Sequence, residues 1–211
     1  MYQLYYYPNN ASLAPHFVLA HLDVPYDLVL VDRKSDAQKS ADYLKLNPAG
    51  RIPTLVDGDL VLFESPAICM YLAEQHDSSL VPAIGSATRP RFLQWMMYLT
   101  NTLQAEYMVY CYPAKHTSDP NGASAVKAAH ADRITGMFRI LDEELETRPY
   151  LVGDGITVCD YFLFMLCLWA EDMPTPPQNF KHLGAYLKRM AETDVIQDVC
   201  GKESIKLGSF I

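Results

Sequence analysis

Asn47-Pro48-Ala49-Gly50-Arg51-Ile52-Pro53-Thr54-Leu55, continuing through Asp57-Gly58 to Phe63-Glu64-Ser65-Pro66-Ala67-Ile68, is the stretch whose reading decides the fold. It spells a loop, a proline entering a strand, a tight hairpin turn, a second strand, and a helix start carrying an acid and a hydroxyl. Pro53 removes a ladder donor where an apolar strand begins, which points to a sharp turn and to a cis Ile52-Pro53 bond. Such a turn leaves the N–H and C=O of Ile52 facing outward, free to pair with an extended peptide. Further on, Glu64-Ser65 opens a helix whose first N–H groups have no partner inside the helix and therefore suit an anion. A backbone rung and an anion nest in one segment are equipment for holding a short peptide.

Upstream, Tyr2-Gln3-Leu4-Tyr5-Tyr6-Tyr7 is aromatic and strand-forming, and Pro8-Asn9-Asn10 ends it. Ser12 to Leu22 reads as a helix with Leu13, Phe17, Val18 and Leu22 on roughly one face. Pro15 is harmless only in the first turn, so the N-cap is Ser12 or very near it. With a proline at the third helical position, Ser12 has no N–H there to cap, and its hydroxyl is expected to be freer to meet a ligand. Tyr26 to Val31 is a second strand, and strand–short helix–strand implies a parallel βαβ unit. Ser35 to Leu46 is polar and helical. Thr54 to Val56 and Leu60 to Phe63 flank the hairpin signal Asp57-Gly58, and Ser65 to His76 is the next helix. Residues 1–77 therefore spell βαβ-α-ββα, a small mixed sheet with helices on its faces.

Residues 78–89, with Ser78-Ser79, Pro82 and Gly85-Ser86, read as a linker. Residues 90–211 show no strand pattern and form an all-helical bundle, with helices expected at 90–110, 123–145, 158–170 and 180–199. Thr157 is an N-cap with Asp160 as its reciprocal acid at the third position, and Ile156 and Tyr161 supply a hydrophobic staple.

Composition narrows the function. In 211 residues, 50% are hydrophobic, enough for a sizeable core, and the formal charge of −8 argues against nucleic acid, which asks for a basic footprint. The five cysteines are scattered, without C-x-x-C spacing or a histidine at ligand spacing, so they read as reduced thiols and no metal site is expected. The chain enters a strand pattern at Met1, leaving no place for a signal peptide. Its longest apolar run, Tyr161 to Ala170, is too short to span a bilayer. The expectation is a cytoplasmic protein with no membrane partner.

Together, Tyr5-Tyr6-Tyr7-Pro8, Asn47 to Leu55, Glu64-Ser65-Pro66-Ala67-Ile68 with Tyr71-Leu72, and the Thr157 to Asp160 box resemble the cytosolic glutathione transferases over essentially the whole chain. Ala11-Ser12-Leu13-Ala14-Pro15-His16 is most similar to the bacterial beta class. The resemblance implies a thioredoxin-like N-terminal domain and a helical domain lining the electrophile site. It implies glutathione as co-substrate with no other cofactor, a small hydrophobic electrophile as partner, and a homodimer. It further implies that Pro53 is cis, that Ile52 pairs with the cysteinyl backbone of glutathione, and that Glu64 and Ser65 hold its γ-glutamyl end. Lys34, Lys39 and Arg51 are the available cations for the glycine carboxylate, with Lys34 and Lys39 preferred.

One departure is decisive for the chemistry. Beta-class enzymes carry a cysteine where this chain has Ala11, so a covalent cysteine is excluded there. Thiolate stabilisation needs only a hydrogen-bond donor and the positive end of a helix. Ser12 and Asn10 are the first candidates, and Tyr6, aligned with the tyrosine of the alpha, mu and pi classes, follows. Asn10 also resembles the asparagine of the disulfide-reducing nu class. Against the helix from Pro90, the second substrate would meet Gln104, Tyr107 and Met108, with Trp169 and Phe210 as further aromatic candidates. Gln104 stands where beta enzymes have a histidine. The functional expectation is a glutathione transferase. A glutathione-dependent disulfide or peroxide reductase and a non-catalytic glutathione-binding protein are the alternatives.

Overall fold

The computed structural model describes residues 1–76 and 79–210, so the expected end of the first domain at 77 and start of the linker at 78 lie outside the described residues. Alternation along the first strand sets up the N-terminal unit. In β1 (Tyr2–Tyr6), Leu4 is fully buried and shares a sheet face with Tyr6, whose ring meets that of His16. Tyr5 and Tyr7 face the other way, against Val31, Tyr43 and Ile52. α1 (Leu13–His21) crosses over to β2 (Tyr26–Leu30), which lies parallel to β1. β3 (Thr54–Asp57) and β4 (Leu60–Phe63) add antiparallel strands, giving the order β2-β1-β3-β4.

Asp57 pairs with Leu60, so the turn residues are Gly58 and Asp59, one position later than Asp57-Gly58 suggested. Gly58 takes φ +58°, the value a mirror-image hairpin turn requires at its first central residue. Between β2 and β3, two short 3₁₀ turns precede α2 (Ala41–Leu46), which Ser40 caps by accepting from the N–H of Tyr43 at 3.2 Å. α3 (Ser65–Gln75) follows β4 and buries Ile68, Cys69, Leu72 and Ala73. This is the expected thioredoxin-like arrangement.

The chain divides into two compact units, residues 1–81 with 192–208 and residues 82–191 with 209–211. That corrects the expectation of one helical domain over residues 90–211. The expected helix at 180–199 is two helices, α8 (Lys181–Ala191) and α9 (Asp194–Lys202), and the break at Glu192-Thr193 returns α9 to the N-terminal unit, where it packs on α1.

The second unit holds α4 (Arg89–Met97), α5 (Gln104–Cys111), α6 (Ala123–Leu145), α7 (Val158–Trp169) and α8. Between α4 and α5, Tyr98–Leu103 is a π-helical turn. Thr100 Oγ1 donates to the carbonyl of Met96 at 2.8 Å, inserting a side chain into the helical ladder, a known cause of such distortions. α7 is buried along Val158 to Leu168, apolar all round as a central helix must be.

Its start is built as the sequence indicated. Asp160 Oδ2 accepts from the N–H and Oγ1 of Thr157, each at 2.8 Å, and Oδ1 accepts from the Leu151 N–H at 3.1 Å and the Tyr186 hydroxyl at 3.0 Å. Burial pushes the Asp160 carboxyl above its ordinary range while these four donors pull against it. Asp160→Ala removes the cap and strands buried donors from α8 and the preceding loop. With about 1 kcal/mol for the cap and 1–3 kcal/mol for each orphaned group, the substitution is expected to cost about 3 kcal/mol or more, read from the urea midpoint. A loss below about 1 kcal/mol would contradict this account of α7.

Candidate functional site

The site begins with what holds the backbone before Pro53. The carbonyl of Arg51 accepts from the Tyr43 hydroxyl at 2.7 Å and from Asn47 Nδ2 at 2.8 Å. Asn47 is itself fixed through Oδ1, which accepts from the Ala49 N–H at 3.0 Å. Burial raises the Tyr43 phenol, which keeps it a proton donor. The Ile52-Pro53 bond is cis. The side chain of Ile52 is buried, and its N–H and C=O find no protein partner among the described residues. A backbone rung therefore stands open beside β3.

The helix start that follows β4 is equally specific. Glu64 adopts φ +75°, ψ 109°, a region that non-glycine residues rarely enter and that costs about 1–3 kcal/mol. Its carbonyl accepts from the Ile68 N–H at 3.0 Å, starting α3, while its side chain is exposed. Pro66 has no N–H, so Ser65 and Ala67 supply the free amides of the first turn, and no protein group caps them among the described residues. Ser65 itself is buried at this helix start, with its hydroxyl beside these amides. The result is a compact set of donors at the positive end of an eleven-residue helix, with a carboxylate at its lip.

A third element is the loop between β1 and α1. Ser12 is fully buried; its hydroxyl donates to the Tyr7 carbonyl at 3.1 Å and accepts from the Tyr7 N–H at 3.3 Å. It does not cap α1, as Pro15 suggested, but neither is its hydroxyl as free as expected: its one O–H is committed to the Tyr7 carbonyl and is not on offer to a ligand in this arrangement. Asn10 is partly exposed, and its Oδ1 accepts from the Ala11 N–H at 2.8 Å. That N–H can only donate, so the amide oxygen must face it and the Nδ2 donor is left with no protein acceptor among the described residues. Tyr6 lies on the sheet face of Leu4 and His16, opposite the face of Ile52.

Comparison with known proteins gives the family of the chain. The glutathione S-transferase N-terminal domain matches residues 1–74 and the glutathione S-transferase C-terminal domain matches residues 100–194. Glutathione S-transferase GstA of Escherichia coli O157:H7 is 28% identical over 207 residues, covering 97% of this chain and 100% of the relative. Glutathione S-transferase 3 of Zea mays is 33% identical over 158 residues, 72% of this chain and 69% of the relative. The chain belongs to the glutathione S-transferase family. Among solved structures, a sphingomonad glutathione S-transferase complexed with glutathione superposes with a TM-score of 0.83 at 28% identity, covering 97% of this chain and 100% of that one.

Within this family setting the remaining candidates separate. Lys39 pairs with Asp36 at 2.8 Å on the surface, and Lys34 is exposed. The cation that the structure ties to the Ile52 cluster is one the sequence reading passed over: the Arg33 guanidinium lies 5.9 Å from the centroid of the Tyr7 ring, and Tyr7 packs on that cluster. The aromatic run ending at Tyr7 was the available signal, since arginine stacks readily on such rings.

In the second unit Tyr107 is 1% exposed, its ring set edge-on against Phe138 and Trp169. It is core, which corrects its assignment to a second-substrate pocket; the apolar stripe of α4 and α5 runs inward through it. Gln104 and Met108 are partly exposed one turn apart, and Phe210 is buried against Phe164. Among the described residues there is no group of three or more histidine, cysteine or acidic side chains placed to hold a metal, and no helix is long and apolar enough to cross a membrane.

The strain at Glu64 gives a direct test. Replacing it with glycine relieves a backbone of about 1–3 kcal/mol at a cost of about 1 kcal/mol in chain entropy. Glu64→Gly is therefore expected to leave stability to urea unchanged or higher while weakening affinity for glutathione in calorimetry. A clear loss of stability would show that the conformation is not strained.

Proposed function

We propose that the protein is a glutathione transferase that holds the tripeptide on its N-terminal unit and lets the thiolate attack a small hydrophobic electrophile. The observation that carries the reading is the open backbone of Ile52 and the uncapped start of α3 at one end of the β3–β4 pair, where Thr54 faces Phe63, because an extended peptide with a terminal carboxylate satisfies both at once. The cysteinyl N–H and C=O take the Ile52 rung. The γ-glutamyl carboxylate takes the amides of Ser65 and Ala67 and the Ser65 hydroxyl, and Glu64 takes the ammonium. Arg33 and Lys34 are the cations proposed for the glycine end, with Lys39 available once its exposed ion pair, worth about 0.2–1 kcal/mol, opens. The glutathione-bound sphingomonad relative supports the choice of ligand.

With Ala11 in place of a nucleophilic cysteine and the Ser12 hydroxyl consumed, the donor offered to the sulfur is Asn10 Nδ2, aided by the start of α1. A free thiol titrates near 8.5, and each unit by which the site lowers it corresponds to about 1.4 kcal/mol of thiolate stabilisation. The protein's part is to position and stabilise the thiolate rather than to react with it. Gln104 and Met108 are the side chains proposed to meet the electrophile. A homodimer in the cytoplasm is the family-based expectation for its assembly and location.

A second reading shares the whole of this site. A carboxamide donor resembles the arrangement of disulfide-reducing members, in which the same thiolate attacks sulfur. Turnover of an aromatic halide against turnover of a small mixed disulfide separates the two, and binding without either activity identifies a carrier.

Retention on immobilised glutathione is the first test, and a protein that neither binds the resin nor is protected from heat by millimolar glutathione is not what we propose. Asn10→Ala is expected to raise the pKa of bound glutathione, followed by ultraviolet titration, by about one unit. Ser12→Ala loosens the loop without removing the donor, so it is expected to raise that pKa by less than Asn10→Ala does and to lower stability by about 1–2 kcal/mol, the worth of two backbone hydrogen bonds. A pKa rise in Ser12→Ala or Tyr6→Phe with none in Asn10→Ala would move the donor role to that residue.

A further inference from the structure

A buried acid far along the chain reaches the loop that carries Asn10. Glu203 caps the end of α9 and its side chain is fully enclosed. One carboxylate oxygen, Oε2, accepts from the N–H of Asn9 at 2.9 Å; the other, Oε1, lies 2.7 Å from His16 Nδ1. The second nitrogen of His16 meets the hydroxyl of Tyr26 at 3.1 Å. Lys202 lies over the Tyr26 ring at 5.9 Å, completing the polar surroundings on this side of α1. Asn9, His16, Tyr26 and Glu203 all belong to the N-terminal unit, although 194 positions separate Asn9 from Glu203.

Asn9 is where this contact matters. It sits at φ +51°, in the left-handed region that asparagine tolerates better than most residues but that still needs holding. The residue after it is Asn10. The loop is therefore fixed at three successive points: the Ser12 hydroxyl grips both backbone groups of Tyr7, Glu203 holds the N–H of Asn9, and the carbonyl of Asn10 accepts from the Leu13 N–H at 2.9 Å. Only the middle contact comes from outside the loop and helix α1. Without it Asn9 can leave the left-handed region, and a rotation there swings the following carboxamide.

We infer that Glu203 is a positioning residue for the proposed thiol donor: its buried carboxylate locks the Asn9 turn and thereby aims Asn10 Nδ2. The inference rests on the reading of Asn10 as that donor. A charge-assisted hydrogen bond to a backbone N–H, itself fixed by His16, is the kind of support that keeps a reacting geometry within fractions of an ångström.

The test uses the full chain and glutathione itself. Glu203→Ala is expected to raise the pKa of bound glutathione by about one unit and lower kcat about tenfold, while the affinity for glutathione changes less than about twofold because Ile52 and Ser65 are untouched. Glu203→Gln keeps an acceptor for the Asn9 N–H and is expected to retain most of the unsubstituted protein's thiol pKa and kcat. The double variant Asn10→Ala with Glu203→Ala should match Asn10→Ala alone, since Glu203 acts through Asn10.

Additive effects in the double variant, an unchanged thiol pKa in Glu203→Ala, or a loss confined to thermal stability would each overturn the inference. Should Glu203→Ala fail to fold, Glu203→Asp, which keeps the charge but draws the oxygens back by one methylene, is judged by the same criteria. If Asn10→Ala itself leaves the thiol pKa unchanged, the donor assignment fails and the inference falls with it. If Asn10→Ala raises the pKa and Glu203→Ala does not, the inference alone fails.

Discussion

Everything at the site depends on keeping the backbone of Ile52 out of the sheet. A strand that continued straight into β3 would spend the Ile52 N–H and C=O on the ladder, and no peptide could pair there. The chain prevents this with a proline at 53 and with two side-chain donors on the carbonyl of Arg51, one from Tyr43 and one from Asn47. Tyr43 is bonded at the same time to Thr54 Oγ1 at 3.0 Å, so the residues on both sides of the turn hang from one buried phenol. Leaving a polar rung unpaired is costly in an apolar setting, and the Ile52 side chain, packed with Val31, Tyr5 and Tyr7, anchors the residue that carries it.

The same logic of local cost against site geometry appears twice more. Glu64 accepts an unfavourable backbone where a carboxylate and the bare amides of α3 sit together, and Asn9 accepts a left-handed turn directly before the Asn10 carboxamide. Strain of this sort persists only where the surroundings over-determine it. Around Asn9 the surroundings are identifiable: Ser12 on Tyr7, Glu203 on Asn9, and His16 behind Glu203. Around Glu64 it is the start of α3 itself, with Ser65 buried and Pro66 fixing the next dihedral.

Much of this was legible in the sequence because it is written in local chemistry. A proline at a strand entrance, a glycine in a two-residue turn, a threonine and an aspartate three apart, and an aromatic strand each report on their own few neighbours, and all are found where they were read except the turn, which lies one residue later, at Gly58-Asp59. What escaped was set by distance along the chain. Nothing near Ser12 announces that its hydroxyl would be taken by Tyr7, because that bond exists only once the loop has closed. The amphipathic pattern of α9 does not say which core it covers, so its return to the N-terminal unit, and Glu203 with it, could not be foreseen. Tyr107 misled for a related reason: the spacing that would line a pocket also lines a core, and only its contacts with Phe138 and Trp169 distinguish them.

A structure of the full chain with glutathione bound tests the central claim most directly. The account predicts the cysteinyl backbone paired with Ile52, the γ-glutamyl carboxylate on the amides of Ser65 and Ala67, and the sulfur within hydrogen-bonding distance of Asn10 Nδ2. Glutathione bound elsewhere, or a sulfur held by the Tyr6 hydroxyl with Asn10 turned away, would contradict it.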